Sequence, residues 1–339
     1  MTFRKSKRFI KNFSRLFCVL GVLTLLAGKG ILSQTPEDTG SRSAEWVRVE
    51  TGDGALSLVM PGDIFVVRDT LGFSQRHPKR RDRIVEYTNL VSARSYETGI
   101  LYYVEKYDVR NTDLGLELLL YRYPGGSVKS FESNGVKGRI IEFGSDSRRM
   151  IFIFGTTDRI YLVGIGARDI TDPRMKRFVG SILIKGERIF EAESDLIASD
   201  LKSYNLEEMT ETPVEVVPMQ RPSRKKDRND QITTTKEETE TAEKNKTEDE
   251  NTKPLVIIEH FKAGYTEQAR SRSEQGRVIV RVTFKENGHI GRIEVLRQLR
   301  YGLLESSIRA AKLMKFIPME TGSGPIEVTR AVEYVFTIY

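Results

Sequence analysis

A polar stretch of 33 residues divides this chain and limits what it can fold into. From Arg221 to Lys253 the sequence contains one isoleucine, no aromatic residue, and nine basic and nine acidic side chains. Such a segment cannot bury enough apolar surface to offset the entropy that it would lose on ordering. The shift in composition begins near residue 191. We therefore predict a charged disordered linker over 191–253, between folded domains at 44–190 and 254–339.

The excess of positive charge is confined to the N-terminus. The formal net charge is +7, but residues 1–33 hold seven basic residues and no acid, so 47 basic and 47 acidic residues remain. This distribution argues against a nucleic-acid partner, which a basic folded domain would suggest. The basic start and the apolar run Leu16–Gly28 are typical of a secretory signal. We expect export, with residues 1–33 either cleaved as a signal peptide or retained as a membrane anchor.

The residues that catalysis or metal binding would require are sparse. The only cysteine, Cys18, lies in the targeting segment, so the exported part has no disulfide and no thiol nucleophile. The histidines His77, His260 and His289 lack metal-ligand spacing to one another or to Cys and Asp. The sequence also contains no phosphate-binding loop, nucleophile elbow or dinucleotide motif. We expect no enzyme activity, no catalytic residues, no cofactor and no metal site.

The block 44–190 has the pattern of an antiparallel α+β domain. Short runs rich in Val, Ile, Tyr and Phe predict strands. Asp113 is the expected cap of one helix that reaches Tyr121, and Asp172-Pro173 is the expected start of a second that reaches Ile182. The predicted strands are Glu45–Glu50, Leu56–Met60, Ile64–Arg68, Ile84–Tyr87, Leu101–Tyr107, Gly138–Phe143, Met150–Phe154 and Arg159–Ile165.

The block 254–339 predicts a small sheet with one packed helix. Between Val278 and Phe284 apolar and polar side chains alternate, and Asn287-Gly288 then supplies the positive φ angles of a hairpin turn. Leu303–Met314 carries an apolar stripe at helical spacing. A last strand runs over Ile326–Tyr339. An isolated hairpin is only marginally stable in water, so we predict a three-stranded antiparallel sheet with the helix across one face.

Short motifs in this block follow one another in a familiar order and spacing. They are Tyr265 with Ala269, Gln275-Gly276-Arg277-Val278-Ile279-Val280, Asn287-Gly288, Lys315-Phe316-Ile317-Pro318 and Val335-Phe336-Thr337-Ile338. On these motifs residues 264–339 resemble the TonB C-terminal domain family, with Thr266 in place of the usual proline. The resemblance marks six structural positions: Tyr265, Gly276, Asn287, Gly288, Phe316 and Pro318. The block 44–190 more distantly resembles small PsbP-like modules, through Trp46, Leu56–Pro61 and Arg159–Val163.

The resemblance implies a site on the last strand and a place in the periplasm of a Gram-negative bacterium. The family's domain grips outer-membrane TonB-dependent transporters by adding their N-terminal peptide as a strand. A terminal strand with one unpaired side is suited to that addition on physical grounds as well. Another envelope protein, a homodimer or a solvated edge are alternatives that stay open. The implied edge residues are Val328, Arg330, Val332, Tyr334, Phe336 and Ile338.

Two features differ from members that transduce energy. Those members keep an N-terminal membrane helix that contacts a proton-driven inner-membrane motor complex and commonly carries a histidine, and Leu16–Ser33 contains none. They also tend to have a stiff Pro-rich linker, whereas Arg221–Lys253 contains a single proline. Two functions are therefore expected: an energy transducer for transmembrane transport, or a cleaved periplasmic adaptor without energy coupling.

Overall fold

The computed structural model describes residues 45–70, 72–76, 83–143, 149–168, 172–189, 201–219 and 252–338. These residues form an α+β fold in which strands outnumber helices. The predicted targeting segment 1–33 and His77 lie outside the described residues. The helices are α1 (Thr112–Leu120), α2 (Pro173–Ser181), α3 (Glu267–Ser271) and α4 (Leu303–Lys312). The strands are β1 (Trp46–Glu50), β2 (Leu56–Pro61), β3 (Ile64–Asp69), β4 (Phe73–Arg76), β5 (Ile84–Glu97), β6 (Ile100–Val109), β7 (Ser127–Ser133), β8 (Val136–Glu142), β9 (Arg149–Gly155), β10 (Arg159–Ala167), β11 (Leu183–Ile184), β12 (Glu187–Arg188), β13 (Ser203–Asn205), β14 (Val216–Val217), β15 (Val256–Glu259), β16 (Gly276–Phe284), β17 (Ile290–Arg297), β18 (Lys315–Ile317), β19 (Met319–Thr321), β20 (Gly324–Ile326) and β21 (Val328–Phe336).

The chain divides into two compact units that interleave along the sequence. Among the described residues, the first takes in those up to Gly62 together with those of 132–137 and 171–208, and the second takes in those of 63–131, 138–170 and 209–339. This division differs from the predicted domain boundaries. Both units draw residues from the block 44–190, and the block 254–339 shares a unit with most of it.

The first unit is built on a small sheet with strand order β12-β11-β2-β1-β13. β1 and β2 pair antiparallel, and β13 adds in parallel to β1 from Arg48↔Ser203 to Glu50↔Asn205. Helix α2 packs on β2. Its start confirms the sequence pattern, because the side chain of Asp172 accepts a hydrogen bond from the Arg174 N–H at 2.9 Å and Pro173 opens the first turn.

The second unit contains a large antiparallel sheet with strand order β3-β5-β6-β10-β9-β8-β7 and β4 paired to β5. β5 is longer than the predicted 84–87, because polar residues such as Arg94 are buried and paired within it. Helix α1 packs on β9, β10 and β5. Its cap is Asn111 rather than the predicted Asp113: Asn111 has extended φ and ψ angles, and its Oδ1 accepts from the Leu114 N–H at 2.9 Å.

The C-terminal part of the second unit has a four-stranded sheet with order β14-β17-β16-β21. β16 and β21 pair antiparallel over nine residues, from Gly276↔Phe336 to Phe284↔Val328. Helix α4 packs on β16. The predicted three-stranded antiparallel sheet with its helix is confirmed, and β14 extends it by a short parallel addition to β17. A single hydrophobic core joins this sheet to the large sheet.

Part of the predicted linker 191–253 is ordered. Residues 201–219 contribute β13 and β14, which pair with strands of the first and second unit respectively. The disorder prediction is wrong for these residues, because they keep apolar side chains such as the fully buried Leu206 that the stretch after Arg221 lacks. Residues 220–251 lie outside the described residues.

Candidate partner-binding edge

β21 is the terminal strand of its sheet. Within the described residues it pairs with β16 on one side and with no strand on the other. The unpaired side runs the length of Val328–Phe336. A free edge of this length presents main-chain N–H and C=O groups that another extended segment can complete.

The ladder geometry decides which residues of β21 offer these groups. The Ile293 N–H donates to the Glu215 carbonyl at 2.8 Å, so the main-chain groups of Ile293 face β14 and not β16. Its partner Val282 therefore faces away from β17 and toward β21, where it pairs with Arg330. Because successive residues of a strand alternate in direction, the main-chain groups of the even-numbered residues of β21 face β16. The outward main-chain groups belong to Thr329, Ala331, Glu333 and Val335.

Four of the six edge residues expected from the sequence pack on the inner face of the sheet. Tyr334 and Phe336 are buried, Val328 and Val332 are half-buried against the core, and Arg330 is exposed. Ile338 lies beyond the last ladder pair. From Val328 to Phe336, the main-chain groups of the even-numbered residues face β16. These even-numbered residues therefore hold β21 in the sheet and do not offer main-chain bonds to a partner.

Two ion pairs and one exposed apolar side chain lie on the outer face of the sheet beside this edge. Arg277 forms an ion pair with Glu333 at 3.1 Å, and Arg281 forms one with Glu294 at 2.7 Å. Val335 is 62% exposed. The edge thus combines a row of main-chain groups with one apolar spot, which suits a partner held by main-chain hydrogen bonds more than by net charge.

The comparison with protein families agrees with this geometry. The family described as Gram-negative bacterial TonB protein C-terminal matches residues 262–338. Residues 262–338 are a TonB C-terminal domain. The match contains α3, β16, β17, α4 and β21, and it confirms the resemblance seen over 264–339. A search of the curated proteins finds no match to the chain. The match supports, in general terms, a TonB-like role at the envelope for this part of the chain.

The motif residues of the TonB C-terminal domain have structural roles behind the edge. The ring of Tyr265 meets that of Phe336 edge to face at 5.6 Å, and Phe284 meets Phe316 in the same way at 4.8 Å. Gly276 and Gly288 take φ angles of 138° and 76°, which favour glycine. Two hydrogen bonds involve the other motif positions: the Pro318 carbonyl accepts from Arg168 at 2.6 Å, and the Asn287 side chain donates to Asp63 at 3.1 Å.

A buried network of charges joins the TonB C-terminal domain to the large sheet. Lys315 Nζ lies 2.7 Å from a Glu105 oxygen and 2.6 Å from a Glu259 oxygen, and Arg122 Nε lies 2.8 Å from Glu259. Lys315 and Glu105 have no exposed surface. Burial alone would raise the pKa of Glu259, but Arg122 and Lys315 outweigh it and hold that pKa at about 2. The Glu259 carboxylate therefore stays charged between the two cations.

Further contacts fix the elements on either side of Lys315. Arg94 donates to the carbonyls of Lys312 and Met314 at the end of α4, the first of these at 2.6 Å. In the β19–β20 hairpin, Glu320 accepts from the Tyr96 hydroxyl at 2.7 Å and from Lys253 at 3.1 Å. The hairpin leads directly into β21, so these contacts fix the start of the edge strand.

Two other kinds of site are absent from the described part of the chain. No group of three or more His, Cys, Asp or Glu side chains there could hold a metal ion. Among the same residues, no helix combines the length and the hydropathy that crossing a membrane requires.

Proposed function

We propose that this chain binds an extended segment of an outer-membrane transporter, or of another envelope protein, by adding it as a strand to β21. The observation that carries the proposal is the outward row of main-chain groups from Thr329 to Val335 on a TonB C-terminal domain. The four residues on that row carry four N–H and four C=O groups; the Thr329 carbonyl already accepts a bond from the Arg330 guanidinium at 3.1 Å, and its second lone pair can still accept one from a partner.

The rigidity of the edge favours this mode of binding. β21 is held by nine residue pairs to β16, and its inner face packs on Tyr265 and the core. A strand that is already ordered loses little entropy when a partner docks, so most of the ordering cost falls on the partner segment. The exposed Val335 gives an apolar contact that can discriminate between segments.

We infer further that the load of any pulling would fall on the whole second unit. The TonB C-terminal domain shares its core with the large sheet and is joined to it by the Lys315 network. Residues 1–33 decide whether the chain can pull: a retained anchor that reaches a proton-driven motor would make it a transducer, and cleavage would leave a periplasmic adaptor. The absence of histidine from Leu16–Ser33 favours the adaptor. The intact mass of the native protein separates the two.

The binding itself is tested with peptides of about ten residues from the N-terminal periplasmic segments of the host's outer-membrane transporters. Each peptide that binds the full chain is remade with N-methyl groups on alternate amides, in two complementary sets. Strand addition uses one parity of peptide amides, so one set should lose binding and the other should keep it. Loss in both sets or in neither would refute strand addition, and self-association of the chain through β21 would support the homodimer.

A further inference from the structure

The opposite edge of the same sheet is covered by the chain itself. The segment Met209–Met219, here called the strap, runs first along β3 of the large sheet and then along β17. In its first half the Met209 carbonyl accepts two bonds from the Arg68 guanidinium, at 2.6 and 3.1 Å. The Thr212 N–H donates to the Val66 carbonyl at 2.9 Å, and the Val66 N–H donates to the Thr212 hydroxyl at 2.9 Å. This half is firmly bonded.

The second half of the strap is attached more lightly. β14 pairs with β17 in parallel at two positions, Val216↔Ile293 and Val217↔Glu294. Val216 is 38% exposed and Met219 is 36% exposed. Glu215 lies 3.6 Å from Arg292, and both side chains are more than half exposed, so this ion pair contributes little. The side chain of Val214 packs on the core, and Pro213 separates the two halves.

We propose that the β17 edge is a second strand-addition site, which the strap keeps closed by occupying it. Residues 215–219 release while residues 209–214 stay in place on β3 and the core, and the edge then accepts an extended segment in the parallel orientation. The strap defines the chemistry of that segment: β-branched apolar residues, with an acidic residue placed beside Arg292. This inference is independent of the β21 proposal, because it concerns the opposite edge of the sheet, which the strap already occupies.

Two features support release over permanent protection. Native proteins often cover an edge strand with another segment to prevent unwanted pairing, and a protective cover of this kind has to stay in place. Here the cover is a two-residue parallel strand, and parallel pairing is the weaker kind. Few buried contacts and exposed main-chain bonds are typical of segments that open locally. The firm half on β3 keeps the released half close to its site.

Amide hydrogen exchange of the full chain tests release directly. The Ile293 N–H is bonded to the strap through Glu215, whereas the Arg281 N–H belongs to the parity of β16 that is bonded to β17. Release predicts that Ile293 exchanges at least about 100-fold faster than Arg281. Equal protection of the two amides would mean that the strap opens only when the sheet unfolds, and the proposal would be overturned.

Adjacent proline variants test whether the vacated edge binds. In the parallel register the Val217 N–H faces the Ile293 carbonyl and the Val216 N–H faces away. Val217→Pro should therefore weaken closure, and Val216→Pro is its matched control. The probe is a labelled peptide of residues 209–219, titrated against the full chain. We expect Val217→Pro to bind it about tenfold more tightly than either the unmodified chain or Val216→Pro. Equal binding by all three would overturn the proposal, and hydrogen exchange decides it if Val217→Pro does not fold.

Discussion

Adjacent proline substitutions in β21 separate the groups that hold the strand from the groups that it offers. The main chain of Ala331 faces outward, so Ala331→Pro removes an N–H that makes no bond to β16. The main chain of Val332 faces β16, where Val332 pairs with Val280. Val332→Pro therefore removes a ladder donor. The two variants differ by one position and should behave in opposite ways.

The structure gives the size of the difference. In Val332→Pro the carbonyl of the buried Val280 loses its donor, which costs about 1–3 kcal/mol, and the proline ring adds strain against the ladder. We expect a total loss of about 3 kcal/mol or more in the free energy of unfolding. Ala331→Pro lies on an edge with its N–H toward solvent, where proline is tolerated, so we expect a loss of about 0.5–1 kcal/mol.

Urea unfolding of the full chain, followed by far-ultraviolet circular dichroism, measures both values. Binding of a partner peptide should show the reverse order, because the proline ring introduced by Ala331→Pro would stand in the path of an added strand. Equal destabilisation by the two variants would refute the assignment of outward groups to odd-numbered residues. Greater destabilisation by Ala331→Pro would show that the parity is inverted.

Three further predictions concern the buried charges around Lys315 and the histidine at the turn between β16 and β17. Lys315→Met leaves Glu105 and Glu259 buried with one cation fewer, so the free energy of unfolding in urea should fall by about 3–5 kcal/mol, and a loss below about 1 kcal/mol would contradict the network. The pKa of Glu259 is about 2 in the folded chain and near 4.5 when unfolded, so its contribution to stability is present above pH 4.5 and is lost toward pH 2. In an acid titration, the free energy of unfolding of Glu259→Gln should therefore change less between pH 4.5 and pH 2 than that of the unmodified chain. Burial lowers the pKa of His289 below its usual 6.5, so stability should decrease as pH falls below that value, and a His289→Phe variant that keeps the same pH dependence would argue against this cause.

Local sequence patterns predicted the β16–β17 hairpin and helix α4 well. The alternation from Val278 to Phe284 and the turn at Asn287-Gly288 specify β16, β17 and their connection over a short stretch of chain. The apolar stripe from Leu303 similarly specifies α4. Such features depend on neighbours within a few residues, so the sequence contains the physical information that is needed.

The long-range contacts had no such local signal. Lys315 lies within the Lys-Phe-Ile-Pro motif, and nothing near it in sequence indicates that it is buried between Glu105 and Glu259. The second of these carboxylates is 56 residues away along the chain. The short strand β14 was missed because its two valines lie in a polar neighbourhood, where a strand forms only because β17 offers an edge. Tertiary context decides such elements.

The direction of the main-chain groups in β21 was a different kind of omission. Side-chain alternation identified the inner face, with Tyr334 and Phe336, as the patterned one. Which residues offer their N–H and C=O groups outward depends on the register of β16 with both neighbours. The bond from Ile293 to Glu215 shows which way the main-chain groups of β17 face, and the ladder pairs carry that direction to β16 and β21; it joins two segments that the sequence placed in different regions.

Site-specific photo-crosslinking in whole cells tests whether a partner strand docks on β21. The crosslinking residue is placed at Val335, which is exposed beside the free edge, and at Glu305, which is exposed on α4 and belongs to neither edge strand, as a control. We expect an adduct from position 335 alone, mapped by mass spectrometry to an extended segment of an outer-membrane protein, and its loss when Ala331→Pro is added. An adduct that persists in the Ala331→Pro chain, or that forms equally from position 305, would contradict strand addition at this edge.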